Sequence, residues 1–143
     1  MTIQSIKKHQ KWLVPAAILL TLSAVFVART AFARTAANTI DPVGIVADKG
    51  RQVTVAGPLG ATAGDRVELR VTVTQRSTGA MAEGRAFLTA TGALQRWEVE
   101  AAAEGGATFE AGPATAVAFA RTTVDGKATD SHQWLVNITL LRE

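Results

Sequence analysis

An all-β fold, an antiparallel β-sandwich of about seven to eight strands, is predicted by three observations on this 143-residue chain. Apolar and polar residues alternate in short runs, turn signals recur about every 8 to 12 residues, and the region beyond residue 42 shows almost no helical periodicity. Ahead of that region stands an N-terminal signal or anchor helix.

The leader comes first. Lys7, Lys8 and Lys11 precede an apolar block from Trp12 to Ala28, and Ala31-Phe32-Ala33 then gives the small-residue pattern of a signal-peptidase site, with cleavage expected between Ala33 and Arg34. The block is short for a bilayer span and slightly long for a signal-peptide core, so an uncleaved anchor contacting the membrane only through residues 12–28 is the alternative. In either case the lysines stay on the cytoplasmic side. The chain therefore reads as residues 1–33 signal peptide, 34–42 linker and 43–143 β-domain. That domain is expected to be secreted, periplasmic or on the cell surface, or else to stand outside the cell on a single-pass anchor.

The strands follow in order. Gly44 to Ala47 and Arg51 to Gly57 flank Asp48-Lys49-Gly50, a glycine-containing hairpin loop. From Arg66 to Gln75, Val67, Leu69, Val71 and Val73 alternate with Glu68, Arg70, Thr72 and Thr74, which puts one face in a core and the other in water. Ser77-Thr78-Gly79-Ala80 is a turn, and Arg85 to Thr91 is the next strand. Gly92-Ala93 reverses the chain into Leu94 to Ala102, where Gln95, Trp97, Val99 and Ala101 share the inner face against Arg96, Glu98 and Glu100. A short strand is expected at Thr108 to Glu110, and Gly112-Pro113 marks a turn. Ala114 to Thr123 alternates Thr115, Val117 and Phe119 with alanines, a strand pattern in spite of its alanine content. Asp125-Gly126 is a two-residue hairpin signal, and Ser131 to Leu141 places His132, Trp134, Val136, Ile138 and Leu140 on one side.

This spacing resembles immunoglobulin-like or fibronectin-like sandwiches in architecture, although the chain has neither a Cys-Trp-Cys spacing nor a tyrosine. A small closed barrel shares the same alternation and is the second architecture. With no cysteine, an exported domain of this size depends on packing, not on disulfides.

Charge and composition narrow the function. Four of the 15 basic residues and none of the 12 acidic ones precede Arg34, so residues 34–143 carry one net negative charge. Dispersed, nearly balanced charge offers no basic face for nucleic acid, and no nucleic-acid partner is expected. One histidine, His132, and one methionine, Met81, follow the leader, too few for a zinc or copper site, and no cofactor is expected. Asp125 and Asp130 share one loop but match no calcium-loop spacing.

Catalytic sets are weak, and no catalytic residue is assigned. Asp130, Ser131 and His132 are consecutive, and neighbours on a strand point to opposite faces, so Ser131 and His132 do not meet as nucleophile and base. Glu98 and Glu100 lie roughly 7 Å apart along one strand face, yet Arg96 shares it, which fits a solvated charged surface. Trp97 and Trp134, in phase with valines, are core residues before they are sugar platforms.

One feature suggests contact with another protein. If the row Ala114, Ala116, Ala118 and Ala120 faces outward, it exposes a flat, weakly apolar interface patch. The expectation is thus an exported, non-catalytic module that binds a protein partner or itself, with an exported hydrolase or glycan-binding domain as the alternative. Asn137-Ile138-Thr139 also matches a glycosylation acceptor.

Overall fold

The computed structural model describes residues 39–143. The expected signal peptide, its Ala31, Ala33 and Arg34 cleavage positions and the apolar block 12–28 lie outside the described residues. Among those described, no helix is long and apolar enough to cross a membrane.

Seven strands form: β1 Val43–Ala47, β2 Gln52–Leu59, β3 Arg66–Gln75, β4 Ala80–Thr89, β5 Gln95–Glu104, β6 Gly112–Val124 and β7 Lys127–Arg142. The only helical element among the described residues is a three-residue 3-10 turn, Asp48–Gly50, between β1 and β2. Thr108 to Glu110, expected as a strand, is loop. Asp125 and Gly126 both take left-handed backbone, at φ 49° and 76°, which makes the two-residue hairpin turn that the sequence signals.

In space the order is β1-β2-β5-β4-β3-β6-β7, and β7 returns to β1, so the sheet closes into a barrel. The expectation of an open two-sheet sandwich of immunoglobulin or fibronectin type is corrected by this closure. All pairings are antiparallel except the closing one, β1 with β7.

Two short seams make the closure, both at the end of the barrel that holds Ala47, Gln75 and Arg142. Met81–Glu83 of β4 meet Ala102–Glu104 of β5, and Val43–Val46 of β1 meet Thr139–Arg142 of β7. Beyond them toward the other end, β4 stays with β3, β5 with β2, and β7 with β6. Physical causes are visible at both seams. A Cβ on Gly84 would sit 2.5 Å from the Glu100 carbonyl oxygen, so β4 crosses β5 closely where the pairing ends. At the other seam the Asp41 N–H donates to the Ala56 carbonyl on β2, while the Pro42 carbonyl accepts from the Thr139 N–H on β7. The chain switches neighbours at a proline, a residue with no N–H to strand.

Residues 40–42, ahead of β1, thus lie against the barrel. Ile40, only 2% exposed, is part of the core.

Inside, β3 supplies Val67, Leu69, Val71 and Val73, and β5 supplies Trp97, Val99 and Ala101, both as the alternation predicts. On β6 the phase is the reverse of the expected one. Ala114, Ala116, Ala118 and Ala120 line the interior, while Val117 and Phe119 point outward. The register gives the reason: three of the four inner alanines of β6 lie between larger inward side chains, as Ala118 does between Val71 and Trp134, and Ala116 between Val73 and Val136. With Phe109 and Trp97 in the same core, a row of methyl groups completes the packing without strain.

The end of the barrel with the two seams has one buried polar residue. Gln75, 1% exposed, donates through Nε2 to the Glu110 carbonyl at 2.8 Å and more weakly to that of Pro113, and its Oε1 accepts from the Glu110 N–H at 2.8 Å and from the Thr78 hydroxyl at 3.1 Å. This ties the end of β3 to the β5–β6 crossover. The Phe109 N–H, donating to the Gly50 carbonyl at 2.9 Å, fastens the same crossover to the β1–β2 turn.

Candidate functional site

The side chains on which chemistry was weighed fall into separate places. On β5, Glu98 and Glu100 face water; Glu100 accepts from Gln52 Nε2 at 2.7 Å, and Arg96 bridges to Asp41 at 2.6 Å. Trp97 is buried, and its indole N–H donates to the Pro58 carbonyl at 3.3 Å, while neighbouring Gln95 binds the Thr91 N–H and the Thr89 carbonyl. Trp134 packs against the core with its buried indole N–H lacking a partner.

His132 has a contact that consecutive numbering obscured. Its Nε2 lies 3.0 Å from Asp130 Oδ2, two residues along the same strand and so on the same face. Asp130 Oδ1 accepts from the Ser131 N–H at 2.9 Å. Ser131 is exposed on the other face of β7, so the structure keeps it away from the imidazole. The nearby depression, of 430 Å³, is lined by Phe119, Arg121, Ala128, Thr129, Asp130 and Ser131, and His132 does not line it. A histidine with an orienting carboxylate is present; a nucleophile beside it is not. Among the described residues no three His, Cys, Asp or Glu side chains gather as a metal site would require.

The four inner alanines are enclosed and do not form the interface patch. What the outer surface carries is the opposite row of the same strand. Val117 pairs with Leu135 and Phe119 with Gln133 across β6 and β7, on the outer face of the barrel. Leu135 is 62% exposed and Phe119 40%. Around them the surface is polar: Arg70, opposite Phe119 on β3, and Arg85 both reach Glu83, at 3.5 and 3.4 Å, Arg121 bonds Glu68 at 2.8 Å, and the Thr115 hydroxyl donates to the Asn137 side chain at 3.3 Å. Farther along β7, Leu141 pairs with Ile45 of β1, and both are exposed with Val43.

The outer row thus forms an apolar centre inside a rim of ion pairs and amides. Among the described residues no acid–base pair stands at its centre. The signal for it in the sequence is the alternation of β6, which places two rows on opposite faces without saying which row is buried.

Taken together, fold and site define a small, cysteine-free, closed β-barrel with an apolar outer face. The sequence matches no protein-family model, and comparison with curated proteins finds no significant match.

Proposed function

We propose that this protein is an exported, non-catalytic β-domain of the cell envelope or exterior that works by binding protein, either a partner or another copy of itself. The observation that carries the reading is the cluster of Val117, Phe119 and Leu135 on the outer face, rimmed by the Arg70–Glu83–Arg85 and Arg121–Glu68 ion pairs. A large apolar side chain left in water on the barrel wall, with others beside it, gains by being covered. Support for export comes from the leader and its Ala31-Phe32-Ala33 site, which leaves the domain either free or tethered.

A photo-crosslinking residue placed at Phe119, with a second chain carrying it at Glu98 on the opposite wall, tests the reading in the native host. The expected result is a discrete protein adduct from position 119 and none from position 98. Equal or absent crosslinking at the two positions overturns it, and an adduct with glycan in place of protein favours the carbohydrate-binding alternative. The hydrolase alternative draws on one observation, the His132–Asp130 contact. It requires that His132→Ala abolish an activity that the folded wild type possesses.

A further inference from the structure

We infer that the partner of this domain is a second copy of the chain, joined edge to edge through β7 in an antiparallel, two-fold pairing of residues 133–137. This rests on the protein-binding reading above and names its partner and its site.

The argument starts from backbone direction. The Thr139 N–H donates to Pro42 on the β1 side, so residues of the same parity on β7 turn their N–H and C=O away from β6. Register along β7 is regular from Ser131 to Leu140; the one irregularity lies opposite Thr122 and Thr123. Gln133, Leu135 and Asn137 therefore point their peptide groups outward from the sheet. β1 pairs only with Thr139–Arg142, so it covers none of them. At the start of the run the Ser131 N–H is capped by its neighbour Asp130, which ends the open stretch.

Other strand margins at this end of the barrel carry charges or bonds, and the open stretch of β4, where Phe87 is 75% exposed, carries Arg85, which a two-fold pairing would set near its own copy. Toward this end the exposed residues of β5 are Arg96, Glu98 and Glu100, and the end of β4 is held by Gln95 Nε2 on the Thr89 carbonyl. On β2, the Ala56 carbonyl is taken by Asp41. β7 has none of these devices: Ser-His-Gln-Trp-Leu-Val-Asn-Ile contains no proline, no lysine and no carboxylate. Such an edge selects an extended peptide through main-chain hydrogen bonds. Among extended peptides, its own copy is singled out by symmetry and charge. Two identical antiparallel edges form a closed two-fold pair, and neither brings a fixed charge against the other. On the outer face, the pairing sets the exposed Leu135 of each copy among Gln133, Leu135 and Asn137 of the other, continuing the apolar surface of Val117 and Phe119 across the joint.

Sedimentation velocity and residue-resolved amide exchange on the full chain, purified from its host in a solvent that keeps it dispersed, test this. Expected is a monomer–dimer equilibrium in which the amides of Gln133, Leu135 and Asn137 exchange at least tenfold more slowly in concentrated than in dilute protein, while those of Trp134 and Val136, which face β6, barely change. Leu135→Lys should weaken dimerisation at least tenfold and leave the dilute protein folded by circular dichroism. Gln133→Lys, a substitution at an exposed side chain, should do the same and serves if the first variant does not fold. A monomer at every concentration, or a dimer whose three edge amides stay unprotected, overturns the inference. In the second case, or if position 119 still crosslinks to a different protein, the binding role survives and only the partner or the edge is wrong.

Discussion

Replacing Gln75 with alanine should cost the barrel about 3 kcal/mol. Two short bonds to Glu110 are lost, each with a net contribution of about 1 kcal/mol, and the freed peptide group together with the space left behind adds about as much again. For a domain of about a hundred residues, with an unfolding entropy of roughly 2.1 cal/mol/K per residue, the melting temperature falls by about 14 °C. Urea unfolding followed through tryptophan fluorescence measures this, since Trp97 leaves a buried site on unfolding. A loss below about 1 kcal/mol would refute the assignment of Gln75 as the clamp between β3 and the β5–β6 crossover. Gln75→Glu sharpens the test through pH. It sets a carboxylate where an amide donates to the Glu110 and Pro113 carbonyls, so in the folded state its pKa is raised above the unfolded value of about 4.3. The protonated form folds best. Stability of this variant relative to wild type should be highest below about pH 4 and fall as pH rises through the folded pKa.

Further substitutions probe the interior. Ala118→Leu, between Val71 and Trp134, should destabilise by about 1–3 kcal/mol by overpacking in denaturant titration, whereas Phe119→Ser one residue along should change stability little and lower the tendency to associate in light scattering. Trp134→Phe removes an indole N–H with no partner and should cost less in the same titration than Trp97→Phe, which gives up the bond to Pro58. Gly84→Val should lower stability by at least about 1–3 kcal/mol, because its side chain meets the backbone of β5 at Glu100.

Alternation made most strands legible, and for a physical reason: Val67, Leu69, Val71 and Val73 leave only one way to face a core, as do Trp97 and Val99. β6 was different. Both its rows are apolar, so period two separated Ala116 and Ala118 from Val117 and Phe119, but the choice of inner row depended on the volume left by Trp134, Val71 and Trp97 on other strands. Size alone pointed the wrong way. Closure was hidden for a related reason, because the seams occupy a few residues of β1 and β4 and depend on Pro42 and Gly84, whose effects are set by neighbours distant in the chain. The Gln75 clamp joins positions 35 residues apart and carries no local signature. The contact between His132 and Asp130 stayed hidden because β7 starts at Lys127, which puts Asp130 on the strand two residues from His132 and not in the loop the sequence suggests.

Thiol labelling of single-cysteine variants tests the central claim most directly, because the chain has no cysteine of its own. Phe119→Cys and Leu135→Cys should react with a maleimide as fast as a free thiol in dilute folded protein, and Ala118→Cys should not react until the barrel unfolds. When the protein is concentrated or returned to its native extract, labelling at 119 and 135 should slow while a surface control at Glu98→Cys stays fast. Rapid reaction at 118, or no slowing at 119 and 135 under any native condition, would contradict a barrel that buries its alanines and binds protein through the opposite row.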